Sequence, residues 1–121
     1  MDTVIAIDSV QDWVEQYLTA WRTNAAVDIE ALFTEDAEYH ETPYETHWVG
    51  RPAIVDGWQS RWAWQQGGWT FDWTVTSAGP PAVVEGVGSY RELGRFRNVW
   101  TFDLAEDGRC RRFAMVNEEI A

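Results

Sequence analysis

A carboxylate on the apolar face of a strand is the first group in this sequence that could do chemistry. In AEYHETPY (37–44), Ala37, Tyr39 and Glu41 share one parity, and Glu38 and His40 share the other. If Ala37 and Tyr39 point into a core, Glu41 points with them. A carboxylate desolvated among aromatic rings has a raised pKa and is poised as a general base near neutral pH. The same position also suits an ion pair with Arg51 or Arg61 that carries no catalysis. Asn98 poses a similar question, because Phe96, Trp100, Phe102 and Leu104 share its parity. It is either a rim residue bonded to water or a hydrogen-bond donor inside a cavity. Tyr17 is either a core tyrosine with a satisfied hydroxyl or a catalytic one. His40 and His47 lie seven apart across Pro43. Solvated loop histidines are the expectation there, with a two-His-one-carboxylate metal site as the alternative.

Other constellations are weaker. None of Ser9, Ser60, Ser77 and Ser89 sits in a nucleophile-elbow motif. Gly86-Val87-Gly88 falls within a strand and precedes no helix, so it marks a bend or a close backbone approach, not a dinucleotide loop.

These groups need elements to hold them. Val10, Trp13, Val14, Tyr17, Leu18 and Trp21 step by 3, 1, 3, 1, 3, one face of an amphipathic helix with Asp8 or Ser9 as N-cap. A short second helix capped by Asp28 carries Ile29, Leu32 and Phe33. Residues 37–44 are extended and end at Pro43. Gly50-Arg51-Pro52 starts a third helix with Ile54, Trp58 and Trp62 as its buried stripe, stopped at Gly67-Gly68. The period then changes to two. Trp69, Phe71, Trp73 and Val75 alternate with threonines and Asp72 as a half-buried strand, broken at Gly79-Pro80-Pro81. Strands follow over about 82–92 and 96–105, and Asp107-Gly108 turns the chain into a last strand from about Arg109 to Glu118. The parity of that strand leaves its inward face open. Helices segregated from an antiparallel meander predict an α+β domain.

The composition narrows the functions available. The chain has 121 residues and a net charge of −11, with nine Arg and Lys together against 20 acids and no Lys among them. One domain, 1–121, is expected. Such a surface repels phosphate backbones and anionic membranes, so neither nucleic acid nor membrane is expected as a partner. Without Lys, Schiff-base and lysine-bound pyridoxal phosphate chemistry are excluded. A single Cys110 excludes an internal disulfide and a Cys-rich zinc site. No basic-then-apolar leader opens the sequence and no apolar run reaches the about 20 residues of a membrane span, so a cytoplasmic location is expected. Nine Trp exceed what so small a core hides easily, which points to a cavity or an interface lined by some of them.

The run VEQYLTAWRTNAAVDIEALFTEDAEYHETPY (14–44), then GRPAI (50–54) and the late DGR turn (107–109), resembles the nuclear transport factor 2-like superfamily. More narrowly, it resembles the SnoaL-like polyketide cyclases and ketosteroid isomerases. The resemblance implies a cone-shaped α+β fold, with three helices on a strongly curved mixed or antiparallel sheet around a pocket, and a homodimer through the outer sheet face. It places the isomerases' oxyanion-hole tyrosine at Tyr17 and their carboxylate base at Glu41. Two departures stand out. The family base is an Asp directly before Pro, whereas Thr42 separates Glu41 from Pro43. The second oxyanion donor, a protonated Asp, falls near Trp100.

The expected function is therefore cofactor-independent acid–base chemistry on an apolar cyclic or aromatic carbonyl compound. Glu41 would abstract the proton, and Tyr17 with Asn98 or Trp100 would stabilise the enolate. Trp21, Tyr39, Trp58, Trp62, Tyr90 and Phe113 are candidate walls, and Asn117 and Glu118 candidate polar groups at the mouth. A non-catalytic binder of a small hydrophobic ligand, and a hydrolase or dehydratase activating water, are the alternatives.

Overall fold

The computed structural model describes residues 3–120, with side chains from Ile7 onward. The elements run α1 (Thr3–Thr23), α2 (Ala26–Glu30), β1 (Phe33–Thr42), β2 (Thr46–Val49), α3 (Arg51–Ser60), a 3₁₀ turn (Trp62–Gln65), β3 (Trp69–Ser77), β4 (Ala82–Tyr90), β5 (Gly94–Leu104) and β6 (Cys110–Ile120). Three helices pack on a six-stranded sheet of order β2-β1-β6-β5-β4-β3. β1 and β6 pair in parallel and every other pair is antiparallel, so the sheet is mixed. It is open, with β2 and β3 at its edges. The expected α+β class holds, including the meander from β3 to β6. Among the described residues no helix is long and apolar enough to cross a membrane.

The register settles which face is inner. Tyr39 pairs with Phe113 and Phe113 with Phe102; one pleat along, Glu41 pairs with Met115 and Met115 with Trp100. Phe113 and Met115 are buried while Arg112 and Val116 are exposed, so Phe113, Met115 and Asn117 of β6 point inward. A register shift at the start of the strand buries Cys110 and leaves Arg111 exposed. Against this face lies the buried stripe of α1. The Trp13 ring lies 4.5 Å from Phe102, tilted by 32°, and anchors the helix by donating its indole N–H to the Leu32 carbonyl at 3.0 Å. Burying the indole without that acceptor would cost a hydrogen bond.

Several boundaries depart from the sequence expectation, each for a local reason. Asp8 and Ser9 do not cap α1; both are exposed on the outward face of a helix already under way. Asp28 does not cap α2 either. Ala25 holds that position, and Asp28 accepts instead from the Thr23 hydroxyl at 2.7 Å. β1 begins at Phe33, where a register irregularity against β6 between Phe33 and Glu38 interrupts the alternation. β2 is only four residues long, too short for a periodic signal, and the sequence analysis missed it. α3 stops at Ser60, so Trp62 falls in the 3₁₀ turn, half exposed, and is not part of the buried stripe.

Gly57 explains how β2 meets α3. A Cβ at this position would overlap the six-membered ring of Trp48, which lies against the helix backbone and stacks on Tyr39 at 5.1 Å. In an exposed helix Gly→Ala stabilises by about 1 kcal/mol. Here Gly57→Ala should instead destabilise by about 1–3 kcal/mol, because the indole must leave its stack. Urea denaturation of the variant checks the sign; a gain in stability would show that Trp48 is free to move.

Candidate functional site

β1 carries Tyr39 and Glu41 on its inner face, and both are buried, Glu41 to 5% exposure. α1 brings Tyr17 over them. The Tyr39 hydroxyl donates to Glu41 Oε2 at 2.8 Å, and the Tyr17 and Tyr39 hydroxyls are 2.9 Å apart. With the Tyr39 proton committed to the carboxylate, Tyr17 is the donor in the second bond. Arg61, just past α3, donates Nη1 to Glu41 Oε2 at 2.8 Å and Nη2 to the Thr46 hydroxyl of β2 at 2.8 Å. Its guanidinium is held between two indoles, 4.6 Å from Trp48 and 4.5 Å from Trp64. Both donors to Glu41 use Oε2; Oε1 takes neither.

The group faces a cavity of about 480 Å³. Tyr17, Trp21 and Leu18 of α1 form one wall, and Trp69 and Phe71 of β3 another, with Tyr90 and Phe96 at the far end. Phe71 stacks on Trp100 at 5.1 Å and 9°. That stack depends on Gly86, where any Cβ would overlap the Phe71 ring. The expected close approach at Gly86 is therefore real. A second polar chain crosses the inner sheet. The Trp100 indole points to Asn98 Oδ1 at 3.4 Å, and Asn98 Nδ2 donates to Asn117 Oδ1 at 2.8 Å. The chain ends at Asn117, whose own amide NH₂ it does not use.

The structure brings Glu41, Tyr17, Tyr39, Trp21, Tyr90, Asn98, Trp100 and Asn117 together around this space. It does not bring the rest. Trp58 and Phe113 are fully buried in the core and stop short of the wall, because Tyr17 packs on both, 4.7 Å from Trp58 and 5.5 Å from Phe113. Trp62 lines a separate groove with Arg22 and Trp69. Glu118 is exposed and pairs with Arg97 at 3.0 Å. Sequence reasoning missed Trp64, Tyr44 and Thr46. Phe71 and Trp69 were legible only as members of an alternating strand, and Arg61 only as one of two partners for Glu41. Of those two, Arg51 turns away to the Phe33 carbonyl at 3.4 Å.

Burial, then the nearby Glu41 charge, holds the Tyr17 and Tyr39 phenols well above their usual range. Burial also pushes Tyr90 up to about 12. Below pH 10 these phenols are protonated in both folded and unfolded chains and add no pH dependence. Above it the unfolded chain releases protons that the folded one retains, so stability falls. The expected slope is about 1.4 kcal/mol per pH unit for each phenol. Ultraviolet titration should show Tyr44, the half-exposed one of the four tyrosines, ionising before the other three, which ionise with unfolding. Four independent titrations would contradict the buried network.

The sequence matches the SnoaL-like domain family over residues 14–113. No curated protein sequence matches it significantly. Among solved structures, an NTF-2 like protein of unknown function from Burkholderia xenovorans superposes with a TM-score of 0.75 at 11% identity, covering 97% of this chain and 88% of that one. A steroid delta-isomerase from Pseudomonas aeruginosa gives 0.68 at 12% identity, covering 93% and 81%. A Caulobacter vibrioides protein with a cystatin-like fold gives 0.66 at 20% identity, covering 94% and 90%. At these identities the likeness is one of fold. The family match spans most of the sequence, and the chain belongs to the SnoaL-like domain family of the nuclear transport factor 2-like superfamily.

Proposed function

We propose that the cavity is the active site of an isomerase- or cyclase-type enzyme acting on an apolar cyclic or aromatic carbonyl compound. One observation carries this reading: Glu41 lines an aromatic cavity with both of its donors on Oε2, so Oε1 remains for a proton on carbon. In the proposed reaction Oε1 takes a proton from the carbon next to a carbonyl, and the electron pair moves to the carbonyl oxygen as an enolate. Returning the proton to a different carbon isomerises the compound. Attack of the enolate carbon on a second carbonyl of the same molecule, followed by protonation of that oxygen, closes a ring. Arg61 and Tyr39 compensate the carboxylate charge before the proton is taken and again once it has been returned.

The oxyanion donor differs from the sequence expectation. Tyr17 spends its proton on Tyr39, Trp100 its indole N–H on Asn98, and Asn98 one of its two amide hydrogens on Asn117, which gives neither of its own along that chain. Asn117 therefore takes the role of stabilising the enolate. Its row, Asn117–Asn98, lies one pleat from the Glu41–Met115–Trp100 row, roughly 7 Å along the strands, which matches a carbocycle bridging base and donor. Two copies associating through the outer sheet face remain part of the proposal, and light scattering tests it.

The ion pair to Arg61 favours a second reading, a binding protein in which Glu41 and Arg61 only orient a ligand. Glu41→Gln separates the two when a panel of cyclic ketones and enols is screened. For an enzyme, turnover should fall by about 10²–10⁴-fold while quenching of tryptophan fluorescence by the bound compound persists. Unchanged turnover removes Glu41 as the base, and binding without any consumption favours the second reading. In either case the substitution strands Arg61, 11% exposed, so denaturant unfolding should show a loss of roughly 1–3 kcal/mol.

A further inference from the structure

On the opposite face of the strands that hold Glu41, three side chains converge that the proposed reaction does not use. His40 of β1 and His47 of β2 are register partners, and their rings lie 4.3 Å apart at 24°. Glu38, two residues before His40 on the same face, places Oε1 3.1 Å from His40 Nε2 and 4.0 Å from His47 Nε2. The three ligand-type atoms all lie within 4.8 Å of one another. We propose that Glu38, His40 and His47 form a binding site for a borderline divalent cation of the Zn²⁺ type.

The geometry points to a cation more than to a simple hydrogen bond. His40 alone satisfies a hydrogen bond to Glu38, yet the more exposed His47 is brought to the same carboxylate oxygen. Tetrahedral zinc with bonds of about 2.0–2.2 Å separates its ligand atoms by roughly 3.3–3.5 Å. The His40–Glu38 distance already falls near that value, and a small ring rotation brings His47 to it. Antiparallel pairing fixes the two imidazoles side by side without help from a flexible loop. Two imidazoles and one carboxylate suit Zn²⁺, Ni²⁺ or Cu²⁺, whereas Mg²⁺ and Ca²⁺ want all-oxygen shells. All three side chains are partly exposed, so an ion can enter and water can complete the shell. The net charge of −11 raises the cation concentration near the surface. Such an ion would tie the short edge strand β2 to β1, and β2 carries the Thr46 and Trp48 that hold Arg61 on the other face.

The chain has only two histidines and one cysteine, Cys110, which is buried, so competing soft ligands are few. The test is a titration of tag-free protein with zinc chloride alone, read by calorimetry and by the two imidazole resonances. The expected result is one ion per chain, both imidazoles shifting together, and at least tenfold weaker binding in each of His40→Ala, His47→Ala and Glu38→Gln. Circular dichroism confirms that each variant is folded. Absence of binding, a shift of His40 alone, or affinity that survives His47→Ala or Glu38→Gln overturns the proposal. None of these readouts depends on catalysis, so the outcome is independent of the reading of the cavity.

Discussion

Taking the Glu41 carboxylate out of water is the constraint that organises this molecule. The penalty for burying such a charge is several kcal/mol and is offset only by close, well-directed partners. Arg61 supplies the opposite charge, but a guanidinium on a long flexible stem is useful only if it is held. Trp48 and Trp64 hold it by their faces and Thr46 by its hydroxyl. Trp48 and Thr46 belong to β2, Arg61 follows α3, and Trp64 lies in the 3₁₀ turn. The region from Thr46 to Gln65 thus converges on one ion pair, and the tight Gly57–Trp48 contact is where its two halves meet.

The rest of the site is built from direction as much as from position. A phenol next to a carboxylate must donate to it, which forces the neighbouring phenol to donate in turn. Proton order therefore runs Tyr17 to Tyr39 to Glu41, and the amide chain runs Trp100 to Asn98 to Asn117. Rings with no polar demand of their own, such as Phe71 stacked on Trp100, line much of the rest of the cavity.

Period and parity made much of this legible. The stripe of α1, the half-buried β3 and the inward parity of Glu41 follow from 3.6- and 2-residue spacing, and the close approach at Gly86 from a glycine within a strand. Glu41 is buried at the cavity, as its parity implies, and it is also paired with Arg61, so geometry alone leaves the base and the ion-pair readings to the Glu41→Gln test. What stayed hidden has a common cause. β2 buries too little to leave a pattern, the irregularity after Phe33 disrupts one, and Trp62 follows the helical period past the point where the helix stops. The partner of Glu41 could be narrowed to Arg51 or Arg61 but not chosen, because long side chains reach over distances that spacing does not encode. The inner face of β6 had to wait for its register with β1 and β5.

The parallel pairing of β1 with β6 sets the order in which the molecule can mature. Glu41 lies beside Met115, and Phe33 beside Cys110, across most of the sequence. On the ribosome β1 emerges long before its neighbour exists, and the closing contact has a high sequence separation, which makes it slow to form. Until β6 arrives, the inner face of β1 has β2 on one side and no strand on the other. The carboxylate is therefore left without its finished surroundings until β6 is synthesised, and a product lacking β6 would leave β1 with an open edge.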